Sequence, residues 1–389
     1  MNLKAIKDMG GIKDKKILVR ADLNVPAKDG KITDASRIER FAPTAKLLAQ
    51  KGARVVIVTH FGRPEGVDSK FSTQFLATAL AKCVDLPVEF APDALLAGET
   101  AAKLKPGQIA LLENVRFYPE EEKNDPKFAK KLAAGFDFFV NDAFSAAHRA
   151  HASTEGVTKY LPSFAGLLME EEVAALGSAL ENPARPSVAI VAGSKISTKL
   201  DLLANLAKKV DMLLIGGAMA NTFLYANGEN IGDSVAERDM AATANKIMAQ
   251  AKGKIVLPID GVVAVTPESP SHESDLVSVE PNEKILDIGS KSVKLFEEKI
   301  AECKTLLMNG PVGWFEVKPF DKATTTLARF IAKRVREGKL VAIAGGGDTV
   351  SALELSGAAK DFTYISTAGG AFLEWCEGKK LPAITPLEK

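Results

Sequence analysis

Three cysteines in 389 residues, Cys83, Cys303 and Cys376, are odd in number and far apart, so they form no disulfide framework, and no Cys-x-x-Cys pair offers a zinc site. An excess of one charge is missing too. Fifty Lys+Arg stand against 49 Asp+Glu, a net charge of +1, which argues against a general nucleic-acid or membrane-surface binder. No stretch approaches the ~20 apolar residues that a membrane helix needs. The first residues show no secretory core or cleavage site, so a cytoplasmic location is the expectation. Neither G-x-G-x-x-G nor G-x-x-x-x-G-K-[ST] occurs, so a Rossmann dinucleotide site and a Walker phosphate loop are both unsupported. The His-Glu-x-x-His spacing of a zinc enzyme and a nucleophilic-serine motif are absent as well.

What is present reads as α/β. Hydrophobic content of 46% with 25% charged residues is ordinary for a globular chain, and 389 residues exceed what one hydrophobic core supports. Near-continuous apolar runs at residues 16–20, 54–58, 109–112 and 136–140, and again at 188–191, 212–215, 255–257, 305–308, 340–343 and 363–366, have the pattern of strands buried on both faces. Helical patterns such as residues 36–48 lie between them, as parallel sheets with crossover helices require. Pro162, Pro183 and Pro186 bracket a Leu/Ala/Glu-rich segment, 167–180, expected to be a helix joining the halves. The expected architecture is two doubly wound lobes, each a mostly parallel β-sheet flanked by helices. The lobes are residues 1–165 and 186–374, with a joining helix and hinge at 166–185 and a tail at 375–389.

Ligands of open parallel sheets bind beyond the carboxyl ends of the strands. In the first half those ends lead into Asp22-Leu23-Asn24, His60-Phe61-Gly62-Arg63, Glu113-Asn114-Val115-Arg116 and Asn141-Asp142 before His148-Arg149. Arg20, Arg37, Arg63, Arg116 and Arg149 form a basic set with His60, His148 and His151, all before residue 152. Guanidinium forks suit carboxylate and phosphate, so a small phosphorylated and carboxylated anion is the natural ligand, with Asp22 and Asn24 accepting from its hydroxyls. His60 and His148 are open to three roles: acid/base group, metal ligand, or hydrogen-bond donor to the anion or to a carbonyl. The absence of metal spacing favours the last.

The second half offers Gly193-Ser194-Lys195-Ile196-Ser197-Thr198-Lys199, Gly345-Gly346-Gly347-Asp348-Thr349 and Thr367-Ala368-Gly369-Gly370, each after an apolar run. Glycines let backbone N–H groups close on phosphate, and a helix N-terminus favours negative charge. Lys195 and Lys199 stand four apart, which on a helix places both ammonium groups on one face. Asp348 is placed to hold a Mg²⁺ ion that bridges phosphates.

Taken together, Val19-Arg20-Ala21-Asp22-Leu23-Asn24-Val25-Pro26, His60-Phe61-Gly62-Arg63-Pro64, Leu112-Glu113-Asn114-Val115-Arg116-Phe117, Gly193-Ser194-Lys195, Asn309-Gly310-Pro311-Val312-Gly313 and Gly345-Gly346-Gly347-Asp348-Thr349 closely resemble the phosphoglycerate kinase family over the full length and in the family's order. The resemblance implies a two-lobed fold with hinge closure, 3-phosphoglycerate on the N-terminal lobe, Mg-ADP or Mg-ATP on the C-terminal lobe, and a tail returning to the first lobe. It implies substrate contacts at Asp22, Leu23, Asn24, Arg37, His60, Phe61, Gly62, Arg63, Arg116 and Arg149. The nucleotide falls to Lys195, Lys199, Gly216 and Gly217 (adenine pocket), Glu316 (ribose), Gly346, Gly347, Asp348 and Thr349, with the metal on Asp348. Arg37, Lys195, Lys199, Gly369 and Gly370 are the implied catalytic set. One departure stands out: the family usually shows Thr-Gly-Gly-Gly where this chain has Thr367-Ala368-Gly369-Gly370. If position 368 needs φ > 0, alanine costs on the order of 1 kcal/mol there.

The implied chemistry fits the residues present. A carboxylate nucleophile is already ionised at neutral pH, so phosphoryl transfer to it needs no general base, and charge neutralisation and alignment do the rest. The expected partners are the two small-molecule substrates, with no nucleic acid and no membrane, and the expected state is a monomer. Two other readings stay open here: a different two-substrate kinase of the same architecture, and a non-catalytic binder of phosphorylated ligands.

Overall fold

Strands that bury both faces need a packed layer on each side, and the first half of the chain builds one. In a computed structural model that describes every residue except Asp29, β1 (Lys16–Arg20), β2 (Arg54–Val58), β3 (Val88–Ala91), β4 (Ile109–Leu112), β5 (Phe138–Asn141) and β6 (Ser163–Ala165) form one sheet. Its order is β3-β4-β2-β1-β5-β6, and every pairing is parallel. Because side chains alternate along a strand, Ile17, Val19, Val55 and Ile57 pack on one face with Ile38, Phe41 and Leu48. Leu18, Val56 and Val58 pack on the other with Ala97, Leu132 and Val157. Truncating Ile17, Leu18, Ile38, Leu48, Ile57 or Leu132 to alanine costs about 2–5 kcal/mol.

The helical pattern at 36–48 becomes the helix Ser36–Gln50. Asp34 accepts the Ser36 N–H at 2.9 Å at its start, and Ile38, Phe41, Ala42, Ala45, Leu48 and Ala49 make its buried stripe. Arg37 therefore leaves the first turn beside the end of β1.

The second half repeats the plan with β7 (Ser187–Ala192), β8 (Met212–Gly216), β9 (Ile255–Val256), β10 (Asp260–Ala264), β11 (His272–Asp275), β12 (Lys284–Ile288), β13 (Thr305–Asn309), β14 (Val341–Gly345) and β15 (Tyr364–Ser366). The main sheet runs β9-β8-β7-β13-β14-β15, again all parallel. The three remaining strands make a separate antiparallel sheet, β11-β10-β12. Sequence patterning did not anticipate that sheet: its apolar residues come in runs of two or three, as in Val262-Val263-Ala264 and Ile285-Leu286, too short to stand out beside Asp, Gly, His and Lys. The edge strands β3 and β6 escaped because they are only four and three residues long.

By contacts the chain divides into Met1–Ala174 with Lys380–Lys389, and Ala175–Lys379. The division falls inside the helix Leu167–Leu180, which has the bounds expected of the joining segment. Asp142 Oδ1 accepts the Met169 N–H at 2.9 Å and Thr44 Oγ1 accepts the Leu167 N–H at 3.0 Å, which anchors the start of that helix to the first unit. Burial pushes the Asp142 carboxyl up to about 6. The C-terminal segment hydrogen-bonds within the first unit, with Lys4 N–H donating to Leu387 O at 2.7 Å and Ala383 N–H to Ala147 O at 3.2 Å. It leaves the second unit at Lys380 and not at 375, because Trp375 and Cys376 are still buried in the helix Gly369–Cys376. No helix among the described residues is long and apolar enough to cross a membrane.

Candidate active site

Parallel pairing brings the carboxyl ends of β4, β2, β1 and β5 side by side, and the basic residues of the first unit gather there. Asp22 follows β1 and takes the Arg37 guanidinium at 2.5 Å, the Ser145 hydroxyl and the Asn24 N–H at 3.1 Å. Burial alone would raise the Asp22 carboxyl, and Arg37 and these hydrogen bonds oppose that shift. Asn24 Oδ1 accepts the Gly62 N–H at 2.9 Å. Arg116 donates to Gly62 O at 2.8 Å and lies 3.2 Å from Glu122. Arg149 Nε donates to His148 at 3.2 Å, and Arg63 is exposed. Leu23 and Phe61 serve as frame: Leu23 is fully buried with its N–H on Thr59 Oγ1 at 3.0 Å, and Phe61 stacks edge-on against Phe75.

Two basic residues behave differently from their sequence reading. Arg20, counted among the anion-binding arginines, is fully buried. Its guanidinium hydrogen-bonds Ser153 Oγ at 2.8 Å, Ala21 O, and His60 Nδ1 at 3.1 Å. His151 is also buried, and burial followed by the surrounding arginines pulls it down to about 4, so it is neutral near pH 7.

In the second unit a cavity of 740 Å³ lies beyond the ends of β7, β8, β13 and β14, a volume within the range of small-ligand sites. Lys199, Gly217, Glu316, Gly346, Gly347, Asp348 and Thr349 line it. Gly216 lies at the end of β8, where a Cβ would come within 2.7 Å of Val312. Gly217 has φ 67°, and a Cβ there would stand 2.8 Å from Gly193 O, so a side chain would close the mouth between two strand ends. Gly346, at φ 101°, turns β14 into the helix Gly347–Ser356 and leaves Asp348 exposed in its first turn.

Lys195 and Lys199 do not share a helix face. Lys195 lies in a loop ahead of the short 3-10 turn Ser197–Lys199 and is exposed. Lys199 turns inward, because the end of β7 and its neighbour β13 offer it Ala192 O and Asn309 Oδ1, each at 2.6 Å. Burial pulls its ammonium down to about 8, against the opposing pull of Asp348. As pH rises through about 8 the unliganded protein loses this positive charge. kcat/KM for nucleotide should therefore fall on the alkaline side, since that parameter reports free-enzyme ionisations. Lys199→Arg, which keeps its charge, should lose this alkaline limb at a lower absolute rate. A limb unchanged in that variant would place the ionisation elsewhere.

Ala368 precedes the helix Gly369–Cys376 with φ −98°. The strain expected for alanine at this position is therefore absent, since φ is negative. Gly369 opens the helix, whose Leu373 reaches the cavity lining, while Lys195, Gly369 and Gly370 are not part of that lining.

Residue-by-residue reading missed the groups that tie the loops together. Asn309 accepts from Lys199 and donates to Gly345 O at 2.9 Å, linking the ends of β13 and β14. Thr349, already in the implied nucleotide set, adds a tie of its own, its Oγ1 accepting the Gly310 N–H at 2.8 Å. Asp287 lines the cavity, accepts the Ile288 and Ala323 N–H groups at 2.9 and 3.0 Å, and is pushed up to about 8 by burial. The Asn309-Gly310-Pro311 string was the available signal for the first of these. Asp287 sits in the antiparallel sheet that patterning did not reveal.

One α/β unit with guanidinium-lined strand ends and another with a glycine-rich, lysine-bearing cavity define a class: two-unit α/β proteins that handle phosphorylated anions. The family model described as phosphoglycerate kinase matches residues 6–379. Phosphoglycerate kinase of Mesorhizobium japonicum is 54% identical over 394 residues, covering 99% of each chain. That of Brucella abortus is 53% identical over 390 residues, covering 98% of each. The solved structure of phosphoglycerate kinase from Coxiella burnetii superposes with a TM-score of 0.93 at 41% identity over 99% of both chains. The enzyme from Pyrococcus horikoshii does so with 0.82 at 32% identity, over 99% of this chain and 98% of that one. The chain belongs to the phosphoglycerate kinase family.

Proposed function

We propose that the first unit binds 3-phosphoglycerate and the second binds ATP or ADP with Mg²⁺, each at its own strand ends. The chain is a phosphotransferase with a carboxyl group as acceptor. It carries out glycolytic phosphoryl transfer between ATP and the carboxylate of 3-phosphoglycerate, giving 1,3-bisphosphoglycerate and ADP, reversibly and in the ATP-forming direction in glycolysis. What supports the assignment of the two substrates is the division of the basic groups: guanidinium forks around Asp22 in one unit, lysine and glycine loops around a cavity in the other.

In this reading Arg63, Arg116 and Arg149 hold the phosphate of the acceptor, and Asp22 and Asn24 accept from its hydroxyl. Arg37, Lys195 and Lys199 neutralise the phosphoryl group during direct in-line transfer, with the N–H groups at Gly369 and Gly370 adding a helix N-terminus. The helix Leu167–Leu180 is the hinge. No group need remove a proton from the acceptor carboxylate, which is ionised at pH 7.

The donor set fits magnesium. Asp348 presents an exposed carboxylate in the cavity, and the described residues hold no cluster of three His, Cys, Asp or Glu. An ion that takes one or two carboxylates and completes its shell with water and phosphate oxygens needs no more. When bound, it would neutralise charge developing on the phosphates. The protein is taken to work in the cytoplasm as a monomer, with no nucleic-acid or membrane partner. A coupled assay of ATP-dependent phosphorylation of 3-phosphoglycerate, run beside a panel of other phosphorylated acids, tests the proposal. Binding of both ligands without ATP consumption would reduce the chain to a binder, and preference for another acid would reassign the first unit.

A further inference from the structure

Arg20 is the largest fully buried polar side chain of the first unit, and the roles given to the other arginines leave it without one. Its surroundings form an ordered chain of donors and acceptors. Glu121, also fully buried, accepts the Ser153 N–H at 2.8 Å and the Ser153 hydroxyl at 2.5 Å. With its single proton committed to Glu121, Ser153 Oγ can only accept from Arg20 Nε, at 2.8 Å. Arg20 Nη1 donates to Ala21 O, and Nη2 meets His60 Nδ1 at 3.1 Å.

A guanidinium has five N–H donors and no acceptor. Nδ1 of His60 must therefore be the lone-pair nitrogen, and the single proton of the neutral ring sits on Nε2. The competing arrangement, an imidazolium paired through Nδ1 to Asp22, fails on geometry. Asp22 Oδ1 is 4.0 Å away, and Asp22 is already engaged by Arg37, Ser145 and the Asn24 N–H. The groups facing the ring are Asp22, Arg20, Arg37 and Arg116. Burial first, then the three arginines, outweigh Asp22 and keep the imidazole well below its ordinary pKa.

We propose that Arg20 is a positioning residue, held by Glu121 through Ser153, that locks His60 as the neutral Nε2–H tautomer. His60 then serves the phosphoacid as a hydrogen-bond donor, and not as a proton shuttle or an additional cation. The role of His60 toward the acceptor rests on the substrate assignment above, whereas the tautomer does not.

The lock is read in the ligand-free protein by ¹⁵N multiple-bond NMR of its four histidines, with the His60 signals identified by their loss in His60→Gln. The expected spectrum shows a bare Nδ1 and a protonated Nε2 between pH 6 and 8, with no titration. An Nδ1–H tautomer or an imidazolium at pH 7 overturns the proposal. In Arg20→Met/Glu121→Gln, which removes both buried charges together, the ring should lose its single tautomer; an unchanged spectrum in a folded double variant overturns the role of Arg20. For function, Gln places an amide donor near the position of Nε2 and Asn near that of Nδ1. His60→Gln should keep KM for 3-phosphoglycerate within about threefold, and His60→Asn should raise it about tenfold, the loss of one good hydrogen bond. An Nε2–H ring with KM unchanged in both variants would uphold the lock and remove His60 from the substrate site.

Discussion

Arg37→Ala is expected to lower kcat by about a hundredfold or more, the scale for removing one preorganised group that meets developing charge, while ATP binding stays unchanged. Arg37 belongs to the first unit, whereas every residue lining the cavity proposed for the nucleotide belongs to the second, so nucleotide affinity is expected to be unaffected. Its removal also strips Asp22 of its salt-bridge partner, and a stray carboxylate beside an anion site could by itself slow turnover. The double variant Arg37→Ala/Asp22→Asn separates the causes. If the guanidinium acts on the phosphoryl group, the double variant stays slow; if the freed carboxylate is responsible, neutralising it restores the rate. Initial rates in the coupled assay together with calorimetric titration of nucleotide give both numbers. Near-normal turnover of Arg37→Ala would strike it from the catalytic set.

Asp348→Asn should cost magnesium-dependent turnover about 10²–10³-fold. Asn keeps the size, so the helix Gly347–Ser356 is disturbed by no more than the lost charge in its first turn, about 0.3–1 kcal/mol. What it removes is a charged oxygen ligand. A titration of rate against Mg²⁺ concentration should show a much higher half-saturating concentration, with metal-free nucleotide binding little altered. An unchanged magnesium curve would move the metal to another carboxylate of the cavity, with the exposed Glu316 the one to test.

Much of the fold could be read from the chain because its central strands are covered on both faces and spell themselves as unbroken apolar runs. Residues 16–20, 54–58 and 109–112 coincide with β1, β2 and β4, and the joining helix has its expected ends. The small antiparallel sheet was invisible because its apolar runs are short: Asp260–Ala264 is largely buried, yet only Val262-Val263-Ala264 mark it, after Asp260 and Gly261. The candidate site was legible to the degree that strand ends gather its residues: the loops after β1, β2, β4 and β5 carry the basic cluster. Spacing failed for Lys195 and Lys199, where a helical assumption met a loop and a 3-10 turn. Strain failed for Ala368, whose φ is −98°.

The sequence by itself determined the α/β plan, the two-unit length, the pairing of an arginine-rich half with a glycine-rich half, and the family. These are properties of local periodicity and of which residue follows which strand. Only the tertiary structure decided that Arg20 is buried against Ser153 and His60, and that Lys199 turns inward while Lys195 stays out. Each of these depends on a partner far along the chain, 40 residues away for Arg20 and His60 and 110 for Lys199 and Asn309. Burial and hydrogen-bond direction are set by such neighbours once the chain has folded, and no local pattern encodes them.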